Sequence, residues 1–439
     1  MLKRKLMPLV VRTLTSDTVL DWKRQRREKR RLQKRAEHQC HIYLRINDPY
    51  SYLLMQVLPA LSRRFEVEFI FHTVLNLDQE MYPAPQLWLD NALDDVEFLA
   101  KLYGLKACAR LAPWQDENWQ KKVSAQLLHW ELQPGFIDLA GPLFDAWWRA
   151  DKAAVEMLLD ERVVKHPECY YHALRFNEAM LADEGHYMSA MLHYGGEWYW
   201  GLDRLDHLER RWNDLNAFRQ LPLVEFDKTY ASFCQLLPKQ SEALLSEPLQ
   251  LFYSARSPYS YLGLERAVLL AQHYKVKLDI RPVLPMVMRN MRVPRKKAFY
   301  ILGDTKREAK KLELPFGYFS DPLGAGVERC YALFDYAKSV NKEIDYLLSF
   351  ARSVYSQGVD AATDDGMQRI VERAGLSWDQ ARPLLGDDSW RLWAQENLAD
   401  MYQLDQWGVP TIAYGKTAVF GQDRLGLIEQ KMVEELTLD

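Results

Sequence analysis

Two short stretches of the chain hold residue types that could do chemistry. In the first, Ser257 stands directly before Pro258. That pair starts a helix, because the hydroxyl satisfies an orphan backbone N–H and the proline has none to satisfy. The same geometry also suits a chemical role, since a helix N-terminus carries about half a positive charge and a hydroxyl there can donate to a bound anion or thiolate. Both readings of Ser257 stand on the residues alone. The second stretch, Val409-Pro410-Thr411, follows Trp407-Gly408 and opens a predicted strand that turns at Gly415. A cis bond before Pro410 would remove a donor from the strand edge and leave the N–H and C=O of Val409 to pair with an extended peptide.

Other catalytic patterns lack their parts. Nine of the ten histidines precede residue 208, and only His273, in the middle of a predicted helix, lies in the second half. With no GxSxG present, a Ser-His-Asp triad is not expected there. Neither a P-loop nor GxGxxG occurs, so nucleotide chemistry has no support. Five cysteines, Cys40, Cys108, Cys169, Cys234 and Cys330, are widely spaced and form no CxxC. Neither a disulfide framework nor a Cys-ligated zinc site is expected. His38, Cys40 and His41 lack the second ligand pair of a metal site, so no metal is predicted. Cys330 falls on an apolar helical face and reads as core.

The elements that position these residues occur twice. NDPYSYL at 47–53 and RSPYSYL at 256–262 are 209 residues apart, and the same spacing carries Ala100-Lys101-Leu102 and Leu105 onto Ala309-Lys310-Lys311 and Leu314. WGLDRLDHLER at 200–210 matches FGQDRLGLIEQ at 420–430, now 220 apart. Duplication is the simplest cause. Each half reads as strand, helix, strand (41–46 and 65–74; 249–254 and 275–284), a long helical stretch, then two short strands and a helix that Asp203 or Asp423 begins.

Length gives a prior of about three domains, with two or four admissible, and composition is that of a packed protein. At 439 residues, 48% hydrophobic and 27% charged, the chain is neither disordered nor collagen-like. Its apolar runs are far short of the roughly 18 residues that cross a bilayer. Charge is segregated: residues 1–36 hold thirteen Lys/Arg against Asp17, Asp21 and Glu28, within a chain of net charge −3. The run 22–35 holds nine basic residues and one acid, which would favour an anionic surface. No aromatic residues interleave it to stack bases, so a solvated helical arm or subunit clamp is expected rather than a nucleic-acid site. The short apolar stretch Leu6 to Val11 contains Pro8 and precedes this basic run, which is not a secretory signal, and a cytoplasmic protein is expected. The domain expectation is an arm at 1–37, a first domain at 38–215, a partly helical connector at 216–246 and a second domain at 247–439.

RSPYSYL, then KAFYILGDTKREAKKLELPF at 297–316, then WGVPTIAYGKTAVFGQDRL resemble the kappa-class glutathione transferase and 2-hydroxychromene-2-carboxylate isomerase family, within the DsbA-like thioredoxin fold. The likeness covers 249–436 well and 40–212 more faintly. It implies an α/β protein of two tandem thioredoxin-like (DsbA-like) domains, each with a helical insertion, and glutathione as cofactor. By the same resemblance Ser257 would hydrogen-bond the glutathione sulfur. Gln422 and Asp423 would hold the γ-glutamyl end, Val409 beside Pro410 the cysteinyl backbone, and Lys297 and Asn290 the remaining polar groups or the substrate. The implied activity is transfer or isomerisation on a small, aromatic electrophile by a monomer with pseudo-dimeric halves or a homodimer. The alternatives are thiol–disulfide exchange working through glutathione, and a non-catalytic binding module.

The first half departs from this pattern at each decisive place. Asp48 replaces Ser257, Ala190 replaces Pro410 and Trp88 replaces Lys297. A carboxylate would repel a thiolate, whereas as a helix cap it is excellent. A cis bond before a non-proline residue costs roughly 2.5–4 kcal/mol, so Ser189-Ala190 is expected trans. This half reads as a catalytically degenerate copy. Its clusters Trp147-Trp148 and Trp198 to Trp200 read as core and packing, with an aromatic-substrate cleft as the functional alternative.

Overall fold

The computed structural model describes residues 8–9, 11–13, 15–78, 85–231, 233–234, 245–291 and 293–437. The chain divides into two compact units, residues 24–231 and residues 1–23 together with 232–439. The segment expected as a connector is thereby split at 231/232. Its one helix among the described residues is Lys228–Ala231, and 235–244 lie outside them.

In the N-terminal unit β1 (Gln39–Leu44) leads into the helix Pro49–Arg64 and then β2 (Glu68–Thr73). A helical stretch follows, including Pro85–Tyr103, Glu117–Trp130, Phe136–Trp148 and Tyr171–Asp183, before β3 (Met191–Tyr194), β4 (Glu197–Trp200) and the helix Leu205–Asp214. The sheet order is β2-β1-β3-β4, with β1 parallel to β2 and antiparallel to β3. Parallel neighbours need a long crossover, which Pro49–Arg64 supplies, while β3 and β4 need only the two-residue turn Gly195-Gly196. Both glycines have positive φ, 53° and 73°, as that turn type requires. Trp147 and Trp148 are fully buried, in keeping with their reading as core.

The C-terminal unit repeats this plan with β5 (Leu249–Tyr253), the helix Pro258–Tyr274, β6 (Leu278–Pro282), a helical stretch that includes Arg295–Lys311, Glu343–Ser356 and Trp390–Gln403, then β7 (Thr411–Tyr414), β8 (Thr417–Phe420) and the helix Leu425–Thr437. Its sheet order is β6-β5-β7-β8, with the same parallel and antiparallel pairings. Strand limits differ from the sequence reading by a few residues, since register is set by partners across the sheet rather than by local alternation. His273 falls in the last turn of its helix rather than its middle.

The duplication extends to individual hydrogen bonds. Tyr50 donates to Asp95 at 2.6 Å and Tyr259 to Asp304 at 2.7 Å, both members of the pair shifted by 209. The Arg45 N–H donates to Ser51 Oγ at 3.2 Å as the Ser254 N–H does to Ser260 Oγ at 3.3 Å. The N–H of Gly201 reaches the Ala190 carbonyl at 2.8 Å, and that of Gly421 the Pro410 carbonyl at 2.9 Å. The basic run forms the helix Asp17–Lys34, on which Arg24 pairs bidentately with Glu197 at 2.9 and 2.7 Å. Among the described residues no helix is long and apolar enough to cross a membrane.

Candidate functional site

Ser257 caps its helix as the sequence predicts: its backbone is extended, and its Oγ accepts from the Ser260 N–H at 3.1 Å. Three side chains hold the loop that delivers it. Tyr331 OH accepts from the Ala255 N–H at 3.2 Å while donating to the Val283 carbonyl at 2.7 Å, and Tyr355 donates to the Ala255 carbonyl at 3.1 Å. Arg256 forms a two-pronged pair with Asp321, both bonds 2.9 Å. Tyr331 and Tyr355 are fully buried. A loop fixed on both faces places the Ser257 hydroxyl without needing a ligand to order it.

Val409-Pro410 is cis, which meets the condition set by the sequence. The Ser257 hydroxyl donates to the Val409 carbonyl at 3.5 Å, the long limit for such a bond. Serine and proline, 153 residues apart in the chain, therefore meet at one point. Among the described residues the Val409 N–H has no hydrogen-bond partner. Pro410 is buried against Gly263 of the serine's own helix: a Cβ at residue 263 would lie 3.0 Å from both Cβ and Cγ of the proline ring. An added methyl there would require the ring or the helix to give by a few tenths of an ångström.

Asp423 lies in the 3₁₀ turn Gln422–Arg424 that begins the last helix, half-buried, and accepts from Gln422 Nε2 at 2.6 Å. Gln422 is buried, and its carboxamide is turned inward. Arg266 donates to its backbone carbonyl at 2.6 Å and to its Oε1 at 2.7 Å, and its Nε2 also reaches Glu308 at 3.2 Å. Gln422 thus positions Asp423. Lys297 is half-buried near the start of Arg295–Lys311, where burial pulls its ammonium below the usual pKa. Asn290 is exposed, in left-handed conformation (φ 61°) at the end of a 3₁₀ turn. Among the described residues, no hydrogen bond of its side chain ties it to the other site residues.

Sequence reasoning missed Arg266, Tyr331, Tyr355 and Gly263. The first three act through contacts far away in the chain, so adjacency carries no trace of them. Tyr259 and Asp304 were findable, because the same pair recurs at the 209 spacing.

In the N-terminal unit the counterpart positions are rebuilt. Asp48 is 2% exposed; it accepts from the Tyr50 N–H at 3.2 Å, from Ser51 Oγ at 2.7 Å and from Ser189 Oγ at 2.8 Å. Burial raises its pKa, while the serine donors and Arg45 oppose that shift. Ser189 stands where Val409 stands in the other half, so carboxylate and serine have replaced serine and carbonyl as a matched pair. Ser189-Ala190 is not among the cis bonds, and Ala190 has a φ of 55°.

Four of the five thiols are poor nucleophiles. Burial pushes Cys40, Cys108 and Cys330 up, and Cys234 up to about 12. Among the described residues no cluster of three His, Cys, Asp or Glu could hold a metal.

Comparison with known proteins bears on the fold. Residues 248–433 match the DSBA-like thioredoxin domain family, so the C-terminal half is a DsbA-like thioredoxin domain. More narrowly, the chain is similar to glutathione S-transferase kappa 1 of Homo sapiens, 26% identical over 211 residues, 44% of this chain and 93% of that protein. The Rattus norvegicus protein of the same name is 27% identical over 207 residues, 43% of this chain and 91% of its own. A solved 2-hydroxychromene-2-carboxylate isomerase aligns at 22% identity over 42% of this chain and 94% of its own, with a TM-score of 0.37. The resemblance to the kappa-class transferase and isomerase family holds for one domain of the two.

Proposed function

We propose that the C-terminal unit binds glutathione and uses its thiolate on a small, aromatic electrophile, in a transferase or isomerase reaction. The observation that carries this reading is the meeting of the Ser257 hydroxyl with the Val409 carbonyl at 3.5 Å, at the head of a helix. That weak contact is easily exchanged for a charge-assisted bond to a thiolate, and such bonds are roughly twice as strong as neutral ones. The helix dipole adds to the preference for the anion. Val409 would pair with the cysteinyl backbone, Asp423 would take the γ-glutamyl amine, and Lys297 would face the remaining carboxylate or the substrate. Gln422 would serve by holding Asp423 in place. The relatives named as glutathione transferases agree with this ligand.

Because no cysteine of the chain lies in the serine–proline junction, glutathione supplies the sulfur: the thiol proton leaves to solvent as the thiolate forms, and the thiolate adds to one carbon of a conjugated double bond whose π pair moves onto the activating carbonyl. The adduct is then either protonated and released (transfer) or expels the thiolate again to leave a rearranged double bond (isomerisation). The N-terminal unit is a second copy of the same domain with Asp48 and Ala190 in place of the working residues, and it does not take part.

Calorimetric titration of reduced glutathione into the full chain, with thiolate absorbance followed against pH, tests the reading. One glutathione per chain is expected. Asp423→Ala should weaken it at least tenfold, and Ser257→Ala should raise the bound thiol's pKa by about one unit, the worth of one hydrogen bond to a charged group. Two sites per chain, or no heat and no thiolate signal at millimolar glutathione, would sink it.

A further inference from the structure

The basic run that forms the helix Asp17–Lys34 is held along one side by the hairpin of the N-terminal unit. Arg24 pairs bidentately with Glu197 on β4, and Arg27 donates from Nη1 to the Gly195 carbonyl at 2.5 Å in the β3–β4 turn. Arg31 pairs with Glu28 at 2.6 Å and donates to the Ala36 carbonyl at 2.7 Å, which ties the last turn of the helix to the chain that leaves it. No residue of this helix is buried. Polar contacts, rather than an apolar seam, therefore hold it.

The outward side carries charge that no carboxylate neutralises. Arg27, Arg30 and Lys34 recur at i, i+3 and i+7, so they share one face and span about 10 Å along the axis. Lys29 stands on the next face, and all four are exposed. Among the described residues Lys29, Arg30 and Lys34 form no ion pair, and Arg27 meets only a carbonyl. Like charges at such spacings destabilise a helix, and a bound polyanion removes that cost. Between residues 24 and 34, Leu32 is the one apolar residue. A helix lying in a lipid surface needs a whole apolar face, and a protein partner needs an apolar core to its interface. This row offers neither. Phosphates need only cations, and the guanidinium fork matches them best. The lack of interleaved aromatics weighs against a single strand, whose bases need stacking partners, and not against a duplex, whose bases stack on each other.

From this pinned helix with an outward row of cations and no apolar support, we infer that the helix Asp17–Lys34 is a docking surface for the phosphate backbone of a nucleic-acid duplex. Arg27, Lys29, Arg30 and Lys34 meet phosphates. No base sequence is read, because phosphate contacts fix position and carry no sequence information. This inference is independent of the glutathione reading.

The test is fluorescence anisotropy of a labelled DNA duplex of about twenty base pairs titrated with the full chain, repeated over a series of potassium chloride concentrations. Four phosphate contacts predict a slope of log affinity against log salt of about −3.6, a loss of roughly a hundredfold between 50 mM and 200 mM salt. Arg30→Gln combined with Lys34→Gln should make that slope shallower by about two and weaken binding at least tenfold at low salt, with circular dichroism unchanged. Lys338→Gln, which alters an exposed lysine of the C-terminal unit, should change neither. A single strand of the same length and vesicles containing phosphatidylserine are each expected to bind at least threefold more weakly than the duplex. The inference is overturned if the duplex does not bind at 50 mM salt, if the folded double variant keeps the wild-type slope, or if the strand or the vesicles bind within threefold of the duplex. The wild-type slope and the comparison of ligands need no variant, so a misfolded variant does not decide the outcome.

Discussion

Ser257 and Asp48 begin equivalent helices, and the difference between them is where their side chains spend their hydrogen bonds. Ser257 accepts one backbone N–H and donates weakly to a carbonyl at 3.5 Å, which leaves its proton exchangeable. Asp48 accepts three donors while almost wholly buried. Asp48→Ala leaves an N–H and two hydroxyls without an acceptor, and is expected to cost about 3 kcal/mol. Ser257→Ala should cost about 1 kcal/mol, the worth of a helix cap. Urea unfolding of the two variants checks the order; equal losses would mean that Asp48 is a cap and nothing more. Glutathione binding should survive Asp48→Ala.

At the scale of elements, the helix Pro258–Tyr274 is set by what it packs against. Gly263 faces the Pro410 ring, whereas Gly303, inside Arg295–Lys311, would have nothing within 4 Å of an added Cβ. Both sit in helices, where glycine is roughly 1 kcal/mol worse than alanine. Gly303→Ala should therefore gain stability by up to about 1 kcal/mol with glutathione binding unchanged. Gly263→Ala meets overpacking of about 1–3 kcal/mol and should lose stability on balance, with glutathione binding weakened severalfold. Thermal unfolding and calorimetry of the pair separate the two cases, and a stabilising Gly263→Ala would refute the close-approach argument. Much at this scale was legible: the caps at Asp48 and Ser257, the prolines behind them and the glycine turns all follow from adjacent residues. The orientation of Gln422 was not, because Arg266 and Glu308, far away in the chain, help decide which way its carboxamide turns.

Across the whole molecule, one half-buried carboxyl ties stability to pH. Glu131 ends the helix Glu117–Trp130, accepts from the Thr73 N–H and from Asn177 Nδ2 at 3.2 Å, and is pushed up to about 7 by burial from an ordinary 4.5. Its folded pKa is raised, so its protonated form is the one that folding favours. The stability it contributes is complete below about pH 4.5 and lost as pH rises through about 7, a change of up to roughly 3 kcal/mol. Denaturant midpoints of the wild type should therefore fall between pH 5 and pH 8 by more than those of Glu131→Gln. Equal slopes in the two proteins would discount Glu131 as the titrating group.

The sequence by itself determined the doubled order of strands and helices, the 209 and 220 registers, the helix starts and the two stretches that could do chemistry. These depend on spacing and on neighbours, which is what sterics, capping and periodicity read. Only the tertiary structure decided that Ser257 meets Val409, that Gln422 faces inward while Asn290 is exposed, that Asp48 and Ser189 form a matched pair, and that the basic helix is pinned along one side and exposed along the other. Each of these rests on side-chain direction and burial between segments far apart in the chain, and those are settled by packing, to which local sequence is blind.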